Sequence, residues 1–263
     1  MNYSHLKVER TAPAIATVTF SRAAKANALH YGHLEEIEAA ALAFRDDAET
    51  RVVIFTGAGR HFSSGADLTD EGSAYRAPLV LRRRRMRIGE RCISALTQMD
   101  QITIAAWNGA AMGGGACIAT ALDFRIGADD CFMQYPEIDI GVNLMWRSLP
   151  LLVRLVGAAR AKRLVIGGER IPANTLLAWG VLDERVPSTR LLQAARAMAE
   201  RYAAKPPVAA QMIKRSVNQL AGALDAAIMH MDADQNLLAA GSDDRRAAIE
   251  AYLAKTTPTF TGN

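Results

Sequence analysis

The stretch Gln101-Ile-Thr-Ile-Ala-Ala-Trp107 runs straight into Asn108-Gly-Ala-Ala-Met-Gly-Gly-Gly-Ala116. Its first seven residues have strand character, and the glycines that follow let the backbone turn tightly and start a helix. A strand feeding a helix through a glycine-bearing turn is the repeating step of an α/β domain. The same step occurs upstream, where the β-rich run at 51–57 leads into Gly57-Ala-Gly-Arg-His-Phe-Ser-Ser-Gly-Ala-Asp67. Runs at 14–20 and 123–128 also read as strands. Between them, Leu34, Ile37, Ala41 and Phe44 form an apolar stripe that predicts a helix over 33–46.

From about residue 188 the β-rich runs stop. Successive helical stretches follow, broken at Pro206-Pro207, Gly222 and Gly241-Ser242. The expected organisation is an α/β core over 1–190 and a helical appendage over 191–263. Leu220, Leu224, Ile228 and Met231 form a stripe in that region that suits internal packing or a subunit contact.

The chain has 263 residues, of which 50% are hydrophobic and 22% charged, so it can bury a sizeable core. Its three cysteines, Cys92, Cys117 and Cys131, lack C-x-x-C spacing and imply neither a disulfide framework nor a zinc site. With no secretory pattern at the N-terminus and no apolar run of membrane-spanning length, a cytoplasmic, non-membrane location is expected. The net charge of +4 suits a polyanionic ligand, a nucleic acid or an acidic membrane. Arg82-Arg83-Arg84-Arg85 falls within a helical pattern set by Leu81, Ile88, Cys92 and Leu96, so its arginines spread around a helix as a solvated face.

Both glycine segments would offer backbone N–H groups where a strand turns into a helix, and together they could form an oxyanion hole. The patterns for other chemistries are missing. There is no G-x-x-x-x-G-K-[ST] phosphate loop, no G-x-G-x-x-G after the first strand, no G-x-S-x-G elbow and no H-E-x-x-H pair. No metal is expected, and no basic motif interleaved with aromatics points to nucleic acid.

Five motifs in order resemble the enoyl-CoA hydratase/isomerase (crotonase) family. They are Lys25-Ala-Asn-Ala-Leu29, Ser63-Ser-Gly-Ala-Asp-Leu68, Asn108-Gly-Ala-Ala-Met-Gly-Gly-Gly115, Asp123-Phe-Arg-Ile126 and Tyr135-Pro-Glu-Ile-Asp-Ile-Gly141. The resemblance implies a crotonase-type spiral of ββα units with a C-terminal helical trimerisation region, assembled as a homotrimer or dimer of trimers. It further implies an acyl-CoA substrate with no cofactor beyond its CoA moiety. The N–H groups of Ala66 and Gly114 would hold the thioester oxygen, and Glu137 would be catalytic. Lys25, Asn27, Ala28, Ser64, Asp67, Leu68, Gly113 and Cys117 fall on positions lining the substrate. Tyr252 and Lys255 match positions that reach CoA from a neighbouring subunit.

The chemistry fits this assignment independently. Removing a proton beside a thioester creates an enolate, which paired N–H donors stabilise by about 3 kcal/mol per donor. A glutamate flanked by apolar residues, as Glu137 is, has its pKa raised toward the working range of a proton shuttle.

Two departures stand out. Cys117 occupies the place of a second family glutamate, and Val142-Asn-Leu-Met-Trp-Arg-Ser-Leu149 puts Met145, Trp146 and Arg147 where small residues are usual. Asp139 would share the side of Glu137 if that segment is extended. With one glutamate retained, double-bond isomerisation is expected over hydration. Hydration by Glu137 alone and a non-catalytic acyl-CoA-binding role are the alternatives.

Overall fold

The computed structural model describes residues 3–69 and 77–263. Among the described residues there are nine strands and twelve α-helices, which alternate in the expected manner as far as β9. The larger sheet contains β1 (Leu6–Ala12), β2 (Ile15–Phe20), β3 (Val52–Gly57), β4 (Ile102–Trp107), β6 (Phe124–Ala128) and β9 (Glu184–Val186), in the spatial order β1-β2-β3-β4-β6-β9. Only β1 and β2 pair antiparallel; the remaining neighbours are parallel. A smaller sheet, β5 (Ala110–Met112), β7 (Phe132–Gln134) and β8 (Ile171–Pro172), lies beside it.

The helices are α1 (Tyr31–Ala43), α2 (Leu79–Met86), α3 (Ile88–Thr97), α4 (Gly114–Ala121), α5 (Ser148–Val156), α6 (Ala158–Val165) and α7 (Ala173–Ala178). They continue with α8 (Leu191–Ala203), α9 (Pro207–Ala221), α10 (Ala226–Met229), α11 (Asp232–Ala240) and α12 (Asp243–Ala254). The central strands are buried on both faces, as parallel strands covered by helices must be: every residue of β3 is buried. The side chains of Phe20, Phe55, Phe62, Ile104 and Trp107 fill the middle of the core.

The four strands read from the sequence are present within one residue at either end. The helix expected over 33–46 is α1 followed by a 3-10 turn at Phe44–Asp46. The short strands β5, β7, β8 and β9 have two or three residues each, too few to show an alternating pattern. Arg82–Arg85 lie within α2, but the pattern running from Leu81 to Ile88, Cys92 and Leu96 is not one helix, because α2 ends at Met86 and α3 starts at Ile88.

Past β9 the chain is helical. α8 buries Leu191, Ala195, Met198 and Ala199 against β3, β4 and β6. α9 begins at Pro207 and is capped by Gly222, at the two breaks read from the sequence. The stripe Leu220, Leu224, Ile228 and Met231 is exposed in the single chain, Leu220 and Leu224 to 83% each, so it is not internal packing. No helix among the described residues is long and apolar enough to cross a membrane.

α9 is tied to the sheet by Lys214, whose buried Nζ sits 2.7 Å from Asp123 Oδ2 and donates to the carbonyl of Gln101 at 2.7 Å. Asp123 in turn accepts from the Thr103 N–H and hydroxyl. Removing one partner of such a pair strands the other away from water. Lys214→Ala is expected to lower stability by about 3 kcal/mol in urea denaturation; a loss below about 1 kcal/mol would contradict this role.

Candidate active site

The loops after β3 and β4 are held side by side by backbone hydrogen bonds. The Phe62 N–H donates to the Asn108 carbonyl (2.6 Å), Ser63 N–H to the Ala110 carbonyl (3.0 Å) and Met112 N–H to the Ser63 carbonyl (3.0 Å). The Asn108 side chain adds donation to the carbonyls of Gly57 and Gly59. This contact leaves no room for a side chain at Gly65. A Cβ there would lie 2.6 Å from the Met112 carbonyl oxygen and 3.5 Å from the Gly114 nitrogen, and φ is +87°.

Two N–H groups are left without protein acceptors at this junction. The Leu29 N–H donates to the Gly65 carbonyl (2.8 Å), and the Asp67 N–H donates to the Leu29 carbonyl (3.0 Å). In that parallel bridge Ala66 lies between the two bonded residues, so its own N–H points away from Leu29. Gly114 is the first residue of α4, where N–H groups have no intrahelical partner. Neither amide meets an acceptor among the described residues.

Glu137 closes the same corner. It lies on a 3-10 turn, Pro136–Ile140, against which α12 packs. Gly113 has φ +45°, and a Cβ on it would stand 2.7 Å from Glu137 Oε1, so the carboxyl lies directly against the turn that starts α4. Oε2 is buried with no hydrogen-bond partner. Burial raises the Glu137 pKa to about 7, opposed by its own backbone N–H and helped by the charge of Asp139.

The other carboxylate on this turn faces elsewhere. The segment is a 3-10 turn and not extended, so residues two apart do not share a side, and Asp139 is exposed with its oxygens near Gly168. Cys117, in the second turn of α4, is buried, and burial pushes its thiol well above the usual range, with the charge of Glu137 adding to the effect. It is a neutral core group there.

The bulky insertion lands on the site. A Cβ on Gly114 would meet Trp146 Cζ3 at 2.2 Å, and one on Gly89 would meet Trp146 Cε2 at 2.1 Å, so the indole is wedged between α3 and α4. Arg147 pairs with Glu90 of α3, and its N–H donates to Asp232 of α11 at 2.7 Å. That a C-terminal helix braces this loop had no signal in the sequence.

The remaining expected residues divide into two groups. Asp67 anchors the first loop: it accepts from the Thr69 hydroxyl and N–H and pairs with Arg22 at 2.9 Å, which together hold its carboxyl at about 2. Ala28 is buried, and its carbonyl accepts from the Arg22 guanidinium. Ser64 donates its N–H to the Ala26 carbonyl. The Asn27 side chain points into the protein. It is fully buried, accepts from the Arg22 N–H and donates to the carbonyls of Ala58 and His61, which locks the loop in its left-handed conformation at φ +54°. Lys25, Leu68, Tyr252 and Lys255 are exposed, and the last two lie at the end of α12.

The enoyl-CoA hydratase/isomerase family model matches residues 10–263. A Mycobacterium bovis protein named "Probable enoyl-CoA hydratase echA12" is 32% identical, covering 97% of this chain and 92% of its own length. Crotonyl-CoA hydratase of Syntrophomonas wolfei is 30% identical, with 99% of both chains covered. Among solved structures, an enoyl-CoA hydratase from Mycobacterium avium subsp. paratuberculosis superposes with a TM-score of 0.88 at 25% identity, covering 99% of this chain and 100% of that one.

The raised Glu137 pKa is also a statement about stability. The folded chain retains a proton that the unfolded chain releases between pH 4.5 and about 7, so folding is penalised increasingly as pH rises through that window. Glu137→Gln removes the penalty. It should match wild type in urea denaturation near pH 4 and exceed it by about 3 kcal/mol at pH 8; equal stabilities at both pH values would refute the placement of a buried, unpartnered carboxyl.

Proposed function

The chain belongs to the enoyl-CoA hydratase/isomerase family, and from that premise we propose that it moves the double bond of an acyl-CoA thioester through an enolate held by the Ala66 and Gly114 N–H groups. The observation that carries this reading is the Glu137 carboxyl, with one oxygen buried and unpartnered, lying against Gly113 at the edge of that N–H pair.

The thioester oxygen accepts from both N–H groups, which gain strength as negative charge develops on it. Glu137 takes the proton from C2 of a 3-enoyl thioester and returns it at C4. A base with a pKa of about 7 is ionised enough to accept the proton and acidic enough to give it back. This balance favours catalysis over mere binding of the thioester.

Isomerisation is preferred because it needs only one shuttling carboxyl. Hydration must also aim a water at C3, and Cys117, a buried neutral thiol, is a poor holder for it. Glu90 is engaged by Arg87 and Arg147, and Asp232 by the Arg147 N–H. Hydration with a water held by Glu137 alone is the second reading, favoured by the hydratase names of the relatives.

In this reading Lys25 and Ser64 border the CoA moiety, and Leu68 covers it from the first loop. Tyr252 and Lys255 serve a neighbouring subunit of a homotrimer or dimer of trimers. Support for assembly comes from α9, where Ile213, Val217 and Leu220, spaced four and three residues apart on one side of the helix, are all more than half exposed.

The test compares initial rates on 3-enoyl- and 2-enoyl-CoA of one acyl length. Wild type should isomerise the first faster than it hydrates the second, and kcat/KM should rise with pH up to about 7 as Glu137 ionises. Glu137→Gln should lower kcat by at least about 10²-fold with little change in affinity for CoA. Efficient hydration without isomerase activity, or a Gln variant of near wild-type rate, would overturn the reading.

A further inference from the structure

We propose that Trp146 ends the acyl site and restricts this chain to short acyl groups; the inference rests on the enolate-site reading above. The thioester carbon and the two or three carbons beyond it must lie within reach of the Gly114 N–H and the Glu137 carboxyl. The space that continues from there, over the first turn of α4 toward α3, is filled by the indole. A Cβ on Gly114 would stand 2.2 Å from Cζ3 and 2.4 Å from Cη2, and one on Gly89 would stand 2.2 Å from Nε1. The ring therefore occupies a slot that exists only because both helices present glycine there. Leu29 Cδ1, 3.2 Å from the same Gly114 position, bounds the other side.

The ring is held there by its backbone. Trp146 and Arg147 both adopt left-handed φ values, +67° and +58°, which residues other than glycine rarely take. Three contacts fix this strained pair: Asp232 accepts the Arg147 N–H, Glu90 pairs with the Arg147 guanidinium, and the Ser148 hydroxyl donates to the Trp146 carbonyl at 3.3 Å. The indole is thus a wall positioned by α3, α5 and α11.

Among the described residues, the cavity next to this bend is charged: about 140 Å³, it is lined by Ala233 and His230 and otherwise by charged groups that include Glu90 and Arg147. An alkyl chain pushed past Trp146 would exchange water for charged side chains and gain nothing from burial. A site with an apolar continuation would instead gain about fourfold in affinity for each methylene covered.

Calorimetric titration of the full-length protein with saturated butyryl-, hexanoyl-, octanoyl- and decanoyl-CoA reads this directly, since these thioesters have no double bond to move. Wild type should bind butyryl-CoA best and decanoyl-CoA at least about tenfold more weakly. Trp146→Ala should narrow or invert that ratio by at least tenfold while its affinity for free CoA stays unchanged, and Trp146→Leu should fall between. If the Ala variant fails to fold, the wild-type series and the Leu variant decide. Affinity that climbs about fourfold per methylene in wild type, or a length profile that Trp146 variants leave unmoved, overturns the inference and leaves the enolate reading standing. Binding of none of the thioesters overturns both.

Discussion

The site depends on the parallel stitching of residues 62–63 to 108–112. Three backbone hydrogen bonds, from Phe62, Ser63 and Met112, lay the loop after β3 along the loop after β4. Because the parallel strands β3 and β4 are neighbours in the sheet, both loops leave from the same edge, and the stitching continues their register beyond the sheet. Two amides that would otherwise be unrelated, 48 positions apart in sequence by the numbers of Ala66 and Gly114, thereby become neighbours. The close approach excludes a side chain at Gly65 and is maintained by the buried Asn27 amide and the Ser63 hydroxyl, which brace the loop from behind. Preorganisation of this kind means the donors need not reorient when charge develops.

Against that fixed pair, the carboxyl and the indole are supplied by one later segment, residues 135–148. Its first part is a 3-10 turn that buries one carboxyl oxygen of Glu137 and turns Asp139 outward. Its second part carries Trp146 and Arg147 in a left-handed bend that α11 braces through Asp232. In the proposed function, reactivity and acyl space are therefore set by the same stretch of chain. The C-terminal helices contribute to both within a single chain: α12 packs on the turn bearing Glu137, and the Arg245 guanidinium donates to the Ile140 carbonyl.

Much of this was legible in the sequence because it depends on local signals. The β-rich runs before each glycine segment gave the central strands, and the prolines and glycines marked the helix breaks. The flanking of Glu137 by Pro136 and Ile138 correctly indicated a raised pKa. What was not legible depends on where distant residues meet. Asn27 has the composition of a ligand-facing loop residue, yet its amide is consumed by carbonyls more than thirty positions away. Asp139 was placed by an assumption of extended backbone that the 3-10 turn replaces. Trp146 was visible as a departure, but its seat between Gly89 and Gly114 required two helices with no sequence relation to it.

In the proposed function the Ala66 and Gly114 N–H groups polarise a thioester carbonyl. Isotope-edited infrared difference spectroscopy of butyryl-CoA carrying a ¹³C-labelled thioester carbonyl measures that polarisation in the complex. The carbonyl stretch is expected at lower frequency when bound than in water, because two fixed donors replace mobile solvent. A bound carbonyl with a stretch at or above its aqueous frequency would contradict it.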